Sequence, residues 1–380
     1  MRNSIIGLIV GVILGIILGA TIIAPRLDRA APGVRGAAEA PTSTPAEIVK
    51  QVPRALVAQP DVSFRMASSF PLETPIVGAL ARRIDSRIWE VSQGKIEIRT
   101  YSPGTEGPAT DLFAAVGSGA IDAALAAPAM GSSGAPALQI FGGIPFGPSS
   151  DEFLAWLHSG GGRELLDEIN RAHDVHGVFC GLLPPSALGW FRRELQSPED
   201  LRGLRMDIEG LGAKVLANLG VEVVDLSPGE LMLELEQGTI DAVSYGPPII
   251  DLRMQFGAWL KHYYPEGWNR SLTPLELMIN KKAWNALTAS HKAQIEAMCG
   301  ENIWYSLAEG EATQFQALKA MVEDGVQLHR LPPGVRDALE RSWQQVLQQE
   351  ISGDPDFRRV WQSLSAFHGE FAVWRELSRP

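Results

Sequence analysis

The phrase Gly119-Ala120-Ile121-Asp122-Ala123 recurs in this 380-residue chain as Gly238-Thr239-Ile240-Asp241-Ala242. Each copy directly follows an apolar stretch with helical spacing. The glycine can end a helix in a left-handed turn, and the β-branched and apolar residues after it suit a buried strand. Each copy therefore predicts a helix-to-strand unit, and the duplication predicts two α/β lobes that face each other across a ligand cleft.

The segment before the first copy alternates between strand and helix patterns. Residues 62–67 alternate apolar and polar side chains, which predicts a strand. Apolar residues repeat every four positions through residues 75–91, which predicts a helix, and residues 95–99 return to a strand pattern. This order predicts right-handed crossovers and a mainly parallel sheet.

The segment before the second copy follows the same order. Residues 204–208 and 221–224 have strand patterns, and residues 211–219 between them have a helix pattern. Ser227 and Glu230 then form a capping box around a first-turn proline, so another helix begins there. We interpret this motif as a helix cap without a functional role.

The C-terminal part of the chain has long helical patterns at residues 282–322 and 335–351. They predict a C-terminal helical layer against the two lobes. Three tryptophans in this part of the chain are interpreted as core anchors rather than ligand contacts: Trp343, Trp361 and Trp374.

The N-terminal segment indicates a membrane attachment. Residues 5–24 are uncharged and apolar over about the 20 residues that a spanning helix needs. We interpret residues 1–24 as a membrane anchor or uncleaved signal, in preference to a removed signal peptide. Residues 25–60, rich in Ala and Pro, are interpreted as a flexible linker. The expected location is the periplasm, with the chain tethered to the inner membrane.

Residues 61–380 are expected to form the bilobal domain. Lobe I is predicted to span about residues 61–184 with part of the region after residue 272. Lobe II is predicted to span about residues 185–271 and to carry the C-terminal helices.

The chain has two cysteines, Cys180 and Cys299. An oxidising compartment would permit a disulfide between them. Cys180 lies in an apolar run and Cys299 on a predicted helix, so we interpret them as two buried thiols.

Composition and motifs exclude several classes of function. The formal net charge is −11, and no run of Lys or Arg is interleaved with aromatic residues, so a nucleic-acid partner is not expected. The chain has no Gly-x-Ser-x-Gly elbow, no P-loop and no dinucleotide-binding glycine motif after the first strand. We therefore expect no enzyme activity, no cofactor and no metal ligands.

Several motifs together carry a family resemblance. They include Ile140-Phe141-Gly142-Gly143-Ile144-Pro145-Phe146-Gly147, Gly189-Trp190-Phe191-Arg192 and Tyr263-Tyr264-Pro265-Glu266-Gly267-Trp268. Over about residues 62–351 the chain resembles the solute-binding proteins of tripartite ATP-independent periplasmic (TRAP) transporters, above all the branch that binds α-keto acids. The resemblance implies a periplasmic-binding-protein-like clamshell that holds a small organic solute and delivers it to membrane permease subunits. It also implies a possible homodimer through the C-terminal helices.

Three positions depart from that family pattern. The resemblance implies an arginine at the strand end for the ligand carboxylate, and this chain has Asp207 there. It implies a glutamine where Ser186 stands, and a Glu-Trp pair for a cation-bridged ligand where Ser244 and Tyr245 stand. A carboxylate that faces a carboxylate ligand in a closed cleft is repulsive. These departures disfavour a simple carboxylate or a Na⁺-bridged keto acid as the ligand.

Two interpretations of Asp207 remain open at this stage. In the first, Asp207 points into the cleft and binds an amine or hydroxyl of the ligand. In the second, it turns away to cap Gly210 or Gly212, and the cleft is more apolar. Arg192 is a further candidate for holding a carboxylate, although a surface role beside Arg193 is the more ordinary interpretation. Four side chains are candidates for apolar walls, with Trp190 equally suited to the core: Phe70, Met130, Trp190 and Tyr245.

Two functions follow from the sequence. The leading one is an extracytoplasmic receptor for a TRAP-type importer, which closes on its ligand without chemical turnover. The alternative is a membrane-tethered ligand sensor that no longer serves transport, suggested by the retained N-terminal segment and the missing arginine. The identity and charge of the ligand, and the oligomeric state, stay undetermined.

Overall fold

The computed structural model describes residues 59–105, 111–130 and 134–378, all of which lie within one compact unit, Pro53–Pro380. The strands of this part are β1 (Val62–Ser68), β2 (Ile96–Tyr101), β3 (Ala123–Ala126), β4 (Val175–Leu183), β5 (Gly189–Phe191), β6 (Arg205–Asp207), β7 (Glu222–Val224), β8 (Ala242–Val243), β9 (His262–Tyr264), β10 (Thr273–Asn280) and β11 (Gln327–Leu328). Its α-helices are α1 (Val77–Val91), α2 (Leu112–Ser118), α3 (Leu138–Phe141), α4 (Ser150–Ser159), α5 (Gly162–Ala172), α6 (Gly210–Asn218), α7 (Pro228–Gln237), α8 (Pro248–Met254), α9 (Lys281–Ala286), α10 (Ala289–Glu323), α11 (Pro333–Gly353) and α12 (Pro355–Ser378).

The strands form two mixed sheets. The first has the order β2-β1-β3-β10-β4, in which β1 is parallel to both neighbours and β10 is antiparallel to both of its own. The second has the order β11-β9-β5-β8-β6-β7, in which β6 is parallel to both neighbours and β5 is antiparallel to both of its own. The prediction of two mostly parallel sheets with helices around them is confirmed. Because the chain passes from β4 into β5, from β9 back into β10, and from β10 through α9 and α10 into β11, three segments connect the sheets.

The duplicated phrase has the same role in both sheets. Gly119 ends α2 with φ 77° and Gly238 ends α7 with φ 74°, so both glycines are left-handed helix ends. A carboxylate oxygen of Asp122 accepts the backbone N–H of Arg65 at 2.9 Å, and one of Asp241 accepts the backbone N–H of Arg205 at 3.0 Å. Each aspartate thus fixes its helix-to-strand turn to the neighbouring parallel strand.

Removal of either aspartate is expected to cost a similar amount of stability. Asp122→Ala and Asp241→Ala each leave a strand N–H without its acceptor, which we expect to lower the free energy of unfolding by about 1–2 kcal/mol. Urea unfolding of the full chain measures this change. Glu236→Ala, at an exposed carboxylate on α7, is the control and should stay within about 0.5 kcal/mol of the parent. Equal effects of all three changes would contradict the assigned role of the aspartates.

The C-terminal helices form the expected layer, with two differences. The predicted helix 282–322 is two helices, because α9 ends at Ala286 and the Thr288 hydroxyl accepts the backbone N–H of His291 to begin α10. Helix α10 packs on β4 and α1, and α11 packs on α6. Trp343 is buried and meets the Trp361 ring edge-on, in line with a core role.

The core role predicted for Trp374 is wrong. Its side chain is 62% exposed, and Val373 and Leu377 beside it are exposed as well. The reason lies in the extent of the contact between α12 and the domain. The buried residues of α12 end at Leu364, so the last turns of the helix have no partner surface among the described residues.

The prediction of two buried thiols is also wrong. Cys180 and Cys299 form a disulfide with their Cα atoms 4.2 Å apart. Both residues are fully buried in one hydrophobic cluster, where Cys180 lies on β4 and Cys299 on α10. The bond therefore joins the first sheet to the long C-terminal helix across 119 residues of sequence.

The expected N-terminal anchor, residues 1–24, and most of the linker lie outside the described residues. Within the residues that are described, none of the helices combines the length and the apolar character needed to cross a bilayer.

Candidate ligand-binding site

The predicted site residues lie mainly where parallel strands end. Phe70 follows β1 and Met130 follows β3 in the first sheet, while Asp207 is the last residue of β6 and Tyr245 follows β8 in the second. The carboxyl ends of parallel strands are where α/β sheets bind ligands. Phe70, Met130 and Tyr245 pack against one hydrophobic cluster, and Tyr245 also packs against a second cluster in the other sheet. All three side chains therefore lie at the border of the core around the first sheet, and their meeting at one ligand stays a prediction.

Asp207 is buried and its carboxylate is bound on one side. Its Oδ1 atom accepts the backbone N–H of Leu226 at 3.1 Å, and its carbonyl oxygen accepts the N–H of Ser244 at 2.9 Å. The cap on Gly210 or Gly212 that one interpretation required does not form, since Leu226 N–H is the hydrogen-bond partner of this carboxylate in the described chain. One carboxylate oxygen anchors the loop after β7, and the other is left for a further donor.

The surroundings of Asp207 are acidic. Burial raises the pKa of Asp207 to about 6, against the opposing effect of the Leu226 N–H. The carboxylates of Asp225, Glu209 and Glu234 raise it further. Burial also raises the pKa of the Tyr245 hydroxyl, with contributions from Asp251, Asp207 and Glu209. This edge of the second sheet therefore favours a cation or a hydrogen-bond donor over an anion beside Asp207.

The raised pKa predicts a pH dependence of stability. The pKa of Asp207 is about 6 in the folded chain and 3.8 in the reference state, so the folded state holds the proton more tightly. Protonated Asp207 therefore stabilises the folded state relative to the ionised form, on the order of 2–3 kcal/mol. This stabilisation is complete below pH 4 and is lost as the pH rises through 6. Urea unfolding at pH 4.5 and 7.5 should show that Asp207→Asn removes this part of the loss. A difference between parent and variant that stays constant with pH would contradict the assignment.

Ser186 and Ser244 lie near each other at the ends of two paired strands, since Ser186 precedes β5 and Ser244 directly follows β8. Ser186 is buried, and its backbone N–H binds the carbonyl of Arg270 at 3.0 Å. Ser244 is buried as well, and its hydroxyl donates to the carbonyl of Ala187 at 3.2 Å. Both side chains are short, and that of Ser244 is already engaged with the backbone.

Trp190 lies in the core of the second sheet rather than on the cleft. It is 1% exposed, its ring lies 4.5 Å from that of Tyr263, and its Nε1 donates to the buried carboxylate of Asp251 at 3.2 Å. The core interpretation of this residue is the one that the geometry supports.

Arg192 lies at the opposite end of the second sheet from Asp207. Its guanidinium donates to the carbonyl of Ile240 at 2.8 Å, just before β8 begins. Asp207, in contrast, pairs with Val243 where β8 ends. The structure therefore places Arg192 away from Asp207, and its assignment to a ligand carboxylate stays a prediction without support from this geometry.

Another cation, Arg270, which the sequence patterns do not single out, lies in the segment that crosses from β9 to β10. Its Nη1 donates to Glu209 at 3.1 Å, and its Nη2 donates to the carbonyl of Tyr245 at 3.4 Å. Both partners lie two residues beyond the ends of strands β6 and β8. This loop has no periodic pattern from which its structure could be predicted. The one sequence signal for Arg270 is its position two residues after the Tyr263–Trp268 motif.

A cavity of about 630 Å³ opens elsewhere on the second sheet's side of the domain. It is lined by residues of α8 and its surroundings together with the end of α10, including Ile249, Lys261, Met321 and Asp324. Asp207, Tyr245 and Arg270 are not among its lining residues. This cavity is thus separate from the edge where the predicted ligand residues meet.

The described residues contain no group of three or more His, Cys, Asp or Glu side chains that could hold a metal ion. The side chain of Ser244 is bound to a carbonyl, and Asp207 is shared with Leu226. Ca²⁺ requires six to eight oxygen ligands, usually with several carboxylates. The described donors at this edge, one half-occupied carboxylate and a serine hydroxyl that is already bound, do not match what Ca²⁺ requires.

Comparison with known proteins identifies relatives over most of the chain. The family model "Bacterial extracellular solute-binding protein, family 7" matches residues 66–353. A curated protein of Nostoc sp. (strain PCC 7120), a monocarboxylate 2-oxoacid-binding periplasmic protein, is 27% identical over 320 residues, which cover 84% of this chain and 87% of that protein.

Solved structures share the two-lobed fold. A TRAP transporter solute-binding protein from Bordetella bronchiseptica RB50, a dimer with calcium and picolinate in its active site, is 31% identical with a TM-score of 0.80, over 84% of this chain and 95% of that chain. A TRAP periplasmic solute-binding protein from Colwellia psychrerythraea with bound calcium and pyruvate is 28% identical with a TM-score of 0.79, over 84% and 98% of the two chains. The predicted two-lobed architecture is confirmed.

Proposed function

Since this chain belongs to the bacterial extracellular solute-binding proteins of family 7, we propose that it recognises its solute through a donor group, an ammonium or a hydroxyl, that binds the carboxylate of Asp207. The chain is a periplasmic receptor that captures a small organic solute for a TRAP-type transporter, and it is not an enzyme. The sensor alternative is not favoured, because the matching family and relatives are solute-binding proteins. The proposal concerns which solute the cleft accepts.

The position of Asp207 is the observation that carries the proposal. It ends β6, at the edge where doubly wound sheets bind ligands, and one of its oxygens is already satisfied by Leu226 N–H. Three further carboxylates act on it and raise its pKa. An anionic group next to this carboxylate would be repelled, whereas an ammonium would relieve the repulsion.

Apolar side chains supply further contacts that we propose for the ligand. Phe70, Met130 and Tyr245 would form apolar walls, since each follows a strand at the carboxyl edge and is only partly buried against the core. Ser186 and Ser244 would contribute little beyond their shape, because Ser244 is bound to Ala187. A calcium- or sodium-bridged ligand is not part of the proposal, since the described residues at this edge offer too few oxygen ligands for a metal ion.

The two sheets support a division of the described chain into two lobes. We propose that lobe I comprises residues 61–184 with β10 and that lobe II comprises residues 185–271 with β11, so that segments 184–188 and 265–272 act as the hinge. Ligand binding would bring Phe70 and Met130 of lobe I toward Asp207 of lobe II. Small-angle X-ray scattering with and without a stabilising compound tests this hinge closure. An unchanged radius of gyration would contradict it.

Two further proposals concern assembly. Residues 1–24 would retain the receptor on the inner membrane, and extraction by alkaline carbonate would contradict this.

The exposed apolar side chains Val373, Trp374 and Leu377 of α12 support a homodimer through the C-terminal helices. One solved relative is described as a dimer. Analytical ultracentrifugation tests this interface, and a monomer at all concentrations would contradict it.

Thermal shift measurements test the proposed specificity. The full chain in detergent is screened with primary amines, polyols and α-keto acids that include pyruvate, because a ligand that binds only the folded state raises the midpoint of unfolding. Amine- or hydroxyl-bearing compounds should stabilise the parent and should stabilise Asp207→Asn far less. Asp225→Asn, a change at an exposed neighbouring carboxylate, is the matched control. The proposal would be contradicted if pyruvate stabilised the parent as much as it stabilises the Asp207→Asn variant.

Chemical recovery separates a receptor from an enzyme. The stabilising compound is released from the protein by denaturation and analysed by nuclear magnetic resonance. We expect it to be chemically unchanged after prolonged incubation, whereas a converted product would contradict the receptor function.

A further inference from the structure

The crossing segment between β9 and β10 contains three consecutive side chains with unpaired donors. The buried atoms Trp268 Nε1, Asn269 Nδ2 and Arg270 Nε have no hydrogen-bond partner within the described residues. A buried donor without a partner carries a desolvation cost, and folded proteins keep few of them. Two of the three, those of Asn269 and Arg270, lie against the edge of the second sheet that contains Asp207.

Arg270 reaches over this edge. Its guanidinium is 17% exposed and binds Glu209 and the carbonyl of Tyr245, each two residues beyond the end of a parallel strand. The Glu209 side chain is 52% exposed, so it is a partner that a ligand can displace at small cost. Guanidinium groups bind carboxylates through paired, charge-assisted hydrogen bonds.

Asn269 lies against the first turn of α6, which begins at Gly210, three residues after Asp207. A side chain at Gly212 would bring its Cβ to within 2.1 Å of the Asn269 Oδ1 atom, so glycine at this position permits the close approach. Asn269 is 2% exposed and its Nδ2 has no partner. The first turn of a helix offers free backbone N–H groups and a positive end of the helix dipole. An amide donor and a helix end therefore meet beside Arg270.

The arginine that the family resemblance implies at the end of β6 is replaced by Asp207. The guanidinium of Arg270 nevertheless approaches the same edge of the sheet, from the segment between β9 and β10. We propose that Arg270 and Asn269, at the first turn of α6, form a carboxylate subsite, and that this subsite together with Asp207 selects small zwitterions of the amino-acid class. The inference rests on the proposed receptor function and names its substrate class. The carboxylate of the ligand replaces Glu209 at Arg270, and its ammonium binds Asp207.

The two ends of the ligand make separable contributions. The ammonium end binds the oxygen of Asp207 that Leu226 leaves free, in surroundings that favour a cation. The carboxylate end takes the Arg270 guanidinium and the Asn269 amide. A keto acid has the second group without the first, and a simple amine has the first without the second. Neither satisfies both subsites.

Isothermal titration of the full chain in detergent tests this inference with matched trios of compounds. The trios are alanine, pyruvate and ethylamine; leucine, 4-methyl-2-oxopentanoate and 3-methylbutylamine; and phenylalanine, phenylpyruvate and phenethylamine. In at least one trio the amino acid should bind at least roughly 10-fold more tightly than either partner, since each charged contact is worth that much or more. Equal binding of the keto acid or the amine in every trio, or no binding of any amino acid, would overturn the inference.

Variants assign the two ends. Arg270→Gln should weaken the amino acid roughly 10- to 100-fold and leave the matching amine unchanged, whereas Asp207→Asn should weaken both. Arg270→Lys, which keeps the charge, should fall between parent and Arg270→Gln. Arg171→Gln, at an exposed arginine of α5, is the matched control and should bind like the parent. An Arg270→Gln variant that folds and binds the amino acid like the parent would show that Arg270 is a structural ion pair.

These outcomes are distinguishable from failure of the receptor function. If a keto acid or an amine alone binds, the receptor stands and the zwitterion inference is wrong. If no compound co-purifies with the chain and none stabilises it, the receptor function fails as well.

Discussion

Asp207→Arg is expected to reverse the charge preference of the cleft. An arginine at the end of β6 would meet a ligand ammonium with a like charge and remove the carboxylate that binds it. We expect the affinity for an amine-bearing ligand to fall roughly 100-fold or more, because a lost charged hydrogen bond and a like-charge contact add. The affinity for pyruvate should rise at the same time, since a guanidinium can pair with a carboxylate in two hydrogen bonds. Isothermal titration of both ligands against parent and variant measures the reversal.

Two controls protect this experiment. Asp225→Arg introduces the same charge change at an exposed residue beside Leu226 and should reduce the affinity for an amine by a few fold at most. Asp207→Asn, which keeps the shape of the side chain, serves if the arginine variant does not fold. A variant with arginine that still prefers the amine would mean that Asp207 does not face the ligand.

Loss of the disulfide is expected to have the largest effect on stability. The bond between Cys180 and Cys299 closes a loop of 119 residues, and removal of a native disulfide typically costs about 2–5 kcal/mol. The double variant Cys180→Ser with Cys299→Ser should lose this amount in urea unfolding. It also places two hydroxyls in a buried apolar cluster, which adds to the loss.

A reductant provides the matched control for the disulfide. Reduction should destabilise the parent and leave the double serine variant unaffected, because the variant has no bond to reduce. If the reductant changes both proteins equally, or neither, the Cys180–Cys299 bond does not contribute in the manner described.

The fold was largely predictable because its strongest signals are local. The duplicated phrase encodes a left-handed helix end at Gly119 and Gly238, and the following aspartate accepts a backbone N–H in both sheets. The helix patterns and the capping box at Ser227 are likewise determined by neighbouring residues. Signals of this kind can be read from a single sequence.

The errors concern contacts between distant segments. Cys180 and Cys299 meet only because α10 packs on β4, and no spacing in the sequence records that contact. Trp374 was assigned to the core from its helix alone, although the buried residues of α12 end ten residues earlier at Leu364. Composition of a helix does not reveal where its partner surface stops.

The candidate site was predictable in part for the same reason. Asp207 ends a strand and the other three predicted residues, Tyr245, Phe70 and Met130, follow strands, and strand ends can be placed from the pattern. Arg270 and Asn269 belong to a crossing loop without periodicity, so their approach to the second sheet depends on the fold of both lobes. Arg192 was a plausible substitute in sequence, but the antiparallel direction of β5 places it at the wrong end of the sheet.

The identity of the ligand that co-purifies with the full chain decides whether Asp207 selects the solute. The chain is isolated in detergent without denaturation, and the bound molecule is identified by mass spectrometry after release. We expect a small molecule with an ammonium or hydroxyl group able to bind Asp207, unchanged by the protein. A co-purified keto acid or other simple carboxylate without such a donor would contradict this expectation.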